Sequence, residues 1–444
     1  MKRLIEDSLL EWKNRDGKMP LIVFGARQTG KTTTIYEFGK AHYSNIAVFN
    51  FEASEKLAAI FEGDLNPSRI VNDLEIFSGQ SINQGTLVFF DEVQHCPKAL
   101  TSLKYFSERA PGYNVIAAGS LLGVAVNRRE TGKNGNTMAE ENGVSFPVGK
   151  VEILTMYPMN FEEFLQAANP YLLNTIKECY ESNLPLSETS HDKALELYRS
   201  YLFTGGMPRV VADYLEKKDA DFVRIKQNEI LVLYTADMAK YTTAAEQVKI
   251  AAIYDSIPSQ LAKENRKFQY AIVGSGVRAA SYETGLDWLK NAGLVLKCDK
   301  TREGKISLKS YVDMLSYKVY FSDVGLLNAK AAVPRNVLLT GSGYGGETKG
   351  AMTENYVAQE LVFNGHPLYY WESNGRAEMD FLLQSSEGVI PVEVKAAENV
   401  QSKSLKEFIK RYAPPYSIRV SARNFGFENN IKSVPLYAVF CIKP

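Results

Sequence analysis

Eight consecutive residues, Gly25-Ala26-Arg27-Gln28-Thr29-Gly30-Lys31-Thr32, have the types and spacing that suit a bound polyphosphate. Gly25 and Gly30 let the backbone curl until its N–H groups converge on an anion, and a helix starting near Thr32 adds its positive end. Lys31 supplies a point charge for the β- and γ-phosphates, and the Thr32 hydroxyl supplies a ligand for Mg2+. Thr33, next in line, belongs to the same phosphate-contacting stretch. The pattern G-x-x-x-x-G-K-[ST] gains its meaning from context, a strand before it and a helix after it. Both are expected here: Leu21-Ile22-Val23-Phe24 reads as a short buried strand, and Thr32 to Lys40 as a helix. The implied ligand is a nucleoside triphosphate, ATP first, with ADP as the product of its hydrolysis.

A second strand end supports this chemistry. Thr86 to Phe90 is an apolar run that ends in Asp91-Glu92. Asp91 would hold Mg2+ directly or through water, and Glu92 would polarise the attacking water. At the end of the next strand, Asn114 to Ala118, stands Gly119-Ser120. Ser120 suits a polar sensor of the γ-phosphate, and a helix N-cap accounts for it nearly as well.

A third group lies far along the chain. Met379-Asp380-Phe381-Leu382 and Val392-Glu393-Val394-Lys395 are apolar strands that each carry charge in the middle. Ionised groups there are costly unless they are paired or bind a metal. Asp380 and Glu393, joined across a hairpin at Gly388, could share one Mg2+, with Glu354 from the preceding helix completing the set. Lys395 projects from the same strand face as Glu393, where it could activate water or neutralise a scissile phosphate. A buried salt bridge, with Lys395 neutralising Asp380 or Glu393, is the other reading.

The elements that must position these groups follow from the hydropathy pattern. Short apolar strands at Leu21–Phe24, Ile46–Phe51, Thr86–Phe90 and Asn114–Ala118 alternate with helical stretches, which implies an α/β fold with a parallel sheet. Residues Asn127 to Gly143 are rich in Asn, Gly, Glu and Arg and read as a loop. Tyr171 to Tyr254 is mostly helical, with a corner at Thr204-Gly205-Gly206-Met207-Pro208. In 255–325, helices near Ile257–Glu264 and Tyr282–Ala292 precede an expected hairpin of Leu294–Cys298 and Ile306–Tyr311, turning at Lys300 to Lys305. That order suggests a winged helix. Gly341–Gly350 reads as a linker, and the last segment alternates helix and strand.

Taken together, several segments resemble a large prokaryotic family of AAA+-type ATPases with a C-terminal domain known as DUF4143. They are Val23 to Thr32, Phe90-Asp91-Glu92-Val93-Gln94, Ala118 to Gly123, Pro147 to Val151, Tyr157 to Phe164, Gly205 to Pro208, Tyr317 to Leu327 and Ile390 to Lys395. The resemblance implies a P-loop AAA+ core over residues 1–170, a helical lid over 171–254, a winged helix over 255–330 and a C-terminal domain over 345–444. Gly205-Gly206-Met207-Pro208 is similar to the GxP turn of STAND-type switch ATPases. There Pro208 would pack near the adenine and Arg209 could reach the phosphates; a plain helix–helix corner is the alternative. In a homo-oligomer, Arg128 or Arg129 would be in place to act on a neighbour's nucleotide, although simple solvation also explains them. Asp380, Glu393 and Lys395 resemble the PD-(D/E)XK nuclease superfamily, with Met379 in place of its proline, so the C-terminal fold is expected to be nuclease-like whether or not it cuts.

Bulk composition bounds the partners. The 444 residues carry 51 basic against 51 acidic side chains, so any nucleic-acid contact must be a local patch. The hairpin supplies one candidate for DNA, Lys300, Arg302 and Lys305, flanked by Lys297 and Lys309 and opposed by Asp299 and Glu303; it could equally dock protein. Three classes therefore stand: an ATP-driven nucleic-acid enzyme, a nucleotide-controlled switch whose C-terminal domain only binds, and a winged-helix regulator. Cys96, Cys179, Cys298 and Cys441 form no CxxC pair. The N-terminus reads as an amphipathic helix, and no apolar run nears the ~18 residues of a membrane span. The expectation is a cytoplasmic protein with no membrane partner.

Overall fold

Strand by strand, the first part of the chain shows why its apolar runs become a sheet with two covered faces. Leu87 and Phe89 of the strand Thr86–Asp91 point into one core with Leu9, Trp12, Ile35 and Phe38. Val88 and Phe90 alternate into the other, with Ile70, Leu74, Leu103 and Phe106. A period of two with both faces apolar is what a central strand requires. The computed structural model describes residues 1–120, 122–127, 146–274, 279–341, 343, 345–373, 377–396 and 403–444. Arg128 and Arg129, and most of the expected loop after Asn127, lie outside the described residues.

The chain forms two compact units. The first, Lys2–Tyr157 with Asn291–Gly293, holds strands β1 (Leu21–Phe24), β2 (Asn45–Asn50), β3 (Thr86–Asp91), β4 (Asn114–Ala118) and β5 (Glu152–Thr155). They form a five-stranded sheet in the order β2-β3-β4-β1-β5, and every neighbouring pair is parallel. Because β3, β4 and β1 are adjacent, their carboxyl ends fall in one row, the usual place for ligands in such sheets. Phe90 is wedged edge-to-face among Phe51, Phe61 and Phe106, with centroids 5.7, 5.6 and 6.4 Å away. Each such pair adds roughly 0.5–1.5 kcal/mol to plain burial, and together they pin the residue before Asp91.

The second unit contains Pro158–Lys290 and Leu294–Pro444. Its helices run from Phe161–Ala168 through Ala244–Leu261 and on to Ala279–Asn291. Strands β6 (Val295–Thr301), β7 (Val312–Phe321), β8 (Tyr369–Ser373) and β9 (Ala377–Met379) form one sheet in the order β7-β6-β8-β9. Strands β10 (Phe381–Gln384), β11 (Val389–Val394), β12 (Ser417–Ser421), β13 (Gly426–Glu428) and β14 (Ile431–Pro435) form a mixed sheet in the order β10-β11-β12-β14-β13. A long helix, Gly346–Phe363, is buried continuously from Ala351 to Leu361. Its inward polar side chains are used. Asn355 bridges the N–H and C=O of Phe321 at 2.8 and 3.1 Å, and Gln359 accepts from Val324 N at 2.9 Å.

Two expectations change. The hairpin's second strand is Val312–Phe321, not 306–311; Leu308–Tyr311 forms only a short 3-10 turn. The hairpin is also no free wing, because β6 pairs in parallel with β8 through Asp299, Lys300 and Thr301. The glycine-rich stretch expected as a linker contains the start of the helix Gly346–Phe363. Among the described residues no helix is long and apolar enough to cross a membrane.

Candidate nucleotide site

The P-loop follows β1 as expected, and its glycines are required by contact as well as by conformation. Gly25 has φ +153°, and a Cβ there would stand 2.2 Å from the Met156 carbonyl oxygen. Gly30, at φ +93°, caps the helix Lys31–His42. Gln28 also lies in the left-handed region at φ +65°. Thr29 is fully buried, and its hydroxyl donates to the Ala26 carbonyl at 2.9 Å. Lys31 is buried and folds back, its Nζ donating to the Gly25 and Ala26 carbonyls at 2.9 and 2.8 Å. Burial pushes its ammonium down to about 8, against the pull of Glu92 and Asp91. Arg27 is half-buried, and Thr32 and Thr33 are exposed at the helix start.

Asp91 and Glu92 stand at the end of β3, which is separated from β1 and its P-loop by β4. The Thr32 hydroxyl lies 3.1 Å from both Asp91 carboxylate oxygens, and Asn50 Nδ2 donates to Oδ2 at 3.1 Å. Burial, with Glu92 beside it, pushes the Asp91 carboxyl up despite the hydrogen bonds from Thr32 and Asn50. A sheltered carboxylate with a hydroxyl across from it and only neutral donors around it is a donor set that fits Mg2+. Glu92 has φ +49° and ψ +43°, unusual for a non-glycine residue. Its Oε2 accepts from Gln94 Nε2 at 2.6 Å and from the Ser120 N–H at 3.4 Å, and Ser120 Oγ lies 3.4 Å from Oε1. Burial opposes the charge on Glu92, but Gln94, Ser120, Lys31 and Arg27 outweigh it and hold the carboxyl below its usual range. Lys31, Thr32, Asp91, Glu92 and Ser120 thus converge.

Two contributors escape a reading of local motifs. Arg3 is buried, and its guanidinium donates to the Thr29 carbonyl at 2.7 Å and to the Tyr157 carbonyl at 2.8 Å. It buttresses the P-loop from behind. Gln94, two residues beyond Glu92, is the other.

With this geometry in view, sequence comparison decides the family. Residues 17–165 match the AAA domain, and residues 349–439 match the domain of unknown function DUF4143. The chain belongs to the AAA+-type ATPases that carry a C-terminal DUF4143. Residues 195–336 of this AAA+-type chain match a further domain of unknown function, DUF8612. No curated protein matches it in sequence. Among solved structures it is similar to the Walker-type ATPase paby2304 of Pyrococcus abyssi, at 14% identity over 74% of this chain and 95% of that one, with a TM-score of 0.44. AMPPCP-bound DnaA from Aquifex aeolicus follows at 14% identity, covering 65% and 87%, with a TM-score of 0.25. The Aeropyrum pernix ORC1 protein in complex with DNA follows at 13%, covering 76% and 92%, with a TM-score of 0.28. At such scores the family matches carry the assignment.

The other expected site residues fare differently. Glu354 does not join Asp380 and Glu393. It is buried against Lys318 Nζ at 2.9 Å and Tyr320 OH at 2.5 Å, and it also pairs with Arg266. Asp380 accepts from the Val394 N–H at 2.8 Å, and it marks the break where the chain passes from β9 to β10. Glu393 is paired with Lys395 at 3.2 Å and Arg419 at 3.7 Å. Among the described residues no group of three His, Cys, Asp or Glu side chains could hold a metal. The expected three-carboxylate Mg2+ site is therefore corrected: a lysine and an arginine flank each of the two glutamates, and the residues present do not fit the ion.

The basic hairpin is likewise spoken for. Lys300 pairs with Glu372 at 3.0 Å, Arg302 with Asp313 at 3.7 Å, and Lys305 with Glu303 at 3.4 Å. Pro208 opens the helix Pro208–Lys217. The glycines before it are fixed by packing: a Cβ on Gly206 would fall 1.8 Å from the Met159 carbonyl oxygen, and Gly206 N donates to Asp323 at 2.6 Å. Arg209 pairs with Asp213 at 2.9 Å. These contacts build the turn as a corner between two helices.

Proposed function

We propose that this chain binds ATP on Gly25 to Thr33 and hydrolyses it with Mg2+. The observation that carries the reading is the Thr32 hydroxyl set 3.1 Å from both oxygens of Asp91, with Glu92 next in the chain. Backbone N–H groups of Ala26 to Thr32 would surround the β-phosphate. Lys31 would exchange its two carbonyl partners for phosphate oxygens, which are stronger acceptors. Thr32 and Asp91 would hold Mg2+, which when bound offsets charge on the phosphates as the terminal bond breaks. Glu92, kept ionised by its neighbours, would orient the attacking water and accept its proton, while the Ser120 hydroxyl would sense the γ-phosphate.

The test is ATP turnover with Mg2+, measured with and without single- and double-stranded DNA, beside calorimetric titration of Lys31→Ala. Turnover by the wild type and no detectable nucleotide binding by the variant are expected. Undiminished ATP affinity in Lys31→Ala would remove the phosphate role.

For the C-terminal domain, the paired state of Glu354 and Glu393 favours the second class of function, a nucleotide-controlled protein whose nuclease-like domain binds without cutting. In that reading Lys395 serves Glu393 as an ion-pair partner. Mg2+-dependent DNA cleavage that disappears in Asp380→Ala would reverse it. Contact with DNA through Lys300, Arg302 and Lys305 would first have to break three ion pairs, so this reading assigns the hairpin no leading part.

A further inference from the structure

Glu92 owes its position first to Gln94, a residue of segment 90–94 to which the sequence alone assigns no role. Its left-handed backbone turns the chain away from β3 and delivers Gln94 back toward its carboxylate, where Nε2 donates at 2.6 Å. The orientation of the Gln94 amide follows from chemistry: an ionised carboxylate only accepts, so the amide nitrogen must face it. The amide oxygen then points the other way, is buried, and has no hydrogen-bond partner among the described residues. Space for it exists because residue 119 is glycine. A Cβ there would stand 2.1 Å from Gln94 Oε1 and 2.9 Å from Leu122 Cγ. An amide that leaves its own acceptor unpaired to keep one short bond to a carboxylate is held for that bond. Ser120, the next residue, closes the arrangement with its N–H and hydroxyl, both at 3.4 Å.

We propose that Gln94 is the positioning residue for Glu92, fixing where its carboxylate stands between Ser120 and the P-loop. Gly119 makes the room and Ser120 provides the second hold. This rests on the reading of Glu92 as the group that orients water for ATP hydrolysis. With one oxygen tied to Gln94, the carboxylate keeps lone pairs free on the other for the water, and its direction is set before nucleotide arrives. Displacing such a group by about an ångström costs up to ~100-fold in rate.

The test uses the full chain and two substitutions, Gln94→Met, which keeps the volume over Gly119 and removes the donor, and Gln94→Glu, which keeps the shape and adds a like charge. ATP turnover is measured with kcat and KM separated, and the hold itself is read from the 1H shift and exchange of the Gln94 side-chain amide in the wild type and in Glu92→Ala. A downfield, slowly exchanging Gln94 amide proton is expected in the wild type and is lost in Glu92→Ala. In Gln94→Met and Gln94→Glu turnover should fall at least about tenfold while the KM for ATP changes by less than about twofold. A residue that only supports the fold would not split kcat from KM in this way. Folded variants with wild-type kcat overturn the proposal. Should the wild type fail to turn over ATP, the ATPase reading falls, and the amide signal still decides whether Gln94 holds Glu92.

Discussion

Two groups of acidic side chains in this chain are treated in opposite ways. At the end of β3, Asp91 is met by the hydroxyl of Thr32 and the amide of Asn50, and Glu92 by the amide of Gln94 and the N–H of Ser120. These hydrogen-bond donors are neutral, while Lys31 and Arg27 act on Glu92 through their charge. The neutral donors fix the direction of each carboxylate and leave its charge for something else to use. In the second unit, Glu354 meets Lys318 and Arg266, and Glu393 meets Lys395 and Arg419. There the charge is cancelled within the protein. Neutral partners mark a carboxylate kept for a ligand, and cationic partners mark one kept for the fold.

The sharpest way to break this contrast is Glu92→Gln. It keeps size and hydrogen bonding but removes the base, so turnover should drop about 10²–10⁴-fold with ATP still bound. Equal rates for variant and wild type would show that the neutral setting of Glu92 has no catalytic purpose. On the other side, Glu354→Ala should act on stability instead. Lys318, wholly buried, would be left with Glu378 alone, and Arg266 would lose its acidic partner, at a cost of about 3–5 kcal/mol. Urea unfolding measures this, and a variant as stable as wild type would mean that the cluster is no structural pair.

A smaller effect lies in pH. With the Lys31 ammonium lowered to about 8 by burial, the nucleotide-free protein loses that proton as pH rises through about 8. Phosphates bind the charged form, so ATP affinity should hold below that pH and weaken roughly tenfold per unit above it. Lys31→Arg, charged throughout, should flatten the profile. Calorimetry between pH 7 and about 9.5 decides, and a flat wild-type curve would contradict the lowered ammonium. Smallest of all should be replacing Lys300, Arg302 and Lys305 together. Any DNA affinity the protein has should change by no more than about twofold, since each of the three already has an acidic partner. A large loss in a salt-dependent binding assay would restore the hairpin as a DNA contact.

How much of this could be read from the residues alone depended on distance along the chain. The P-loop, the strand before it and the acidic end of β3 were legible because each is a run of adjacent residues with its own periodicity. Arg3 was not, because nothing near it in sequence hints that it reaches Thr29. The C-terminal carboxylates misled for the same reason. Spacing placed Asp380 beside the strand of Glu393, where it accepts from the Val394 N–H, but the cations that hold Glu354 and Glu393, among them Lys318, Arg266 and Arg419, come from other segments of the chain. Likewise, the parallel pairing of β6 with β8 was not legible, because its partners lie 70 residues apart, Asp299 against Tyr369.

That pairing bears on how the protein could be taken apart. The glycines near residue 345 invite a cut there, yet a fragment ending at that point would carry β6 with the edge that β8 normally covers left bare. Open backbone donors and acceptors along such an edge recruit other strands. The shorter piece would tend to clump, and supplying the missing portion as a separate polypeptide should return it to solution.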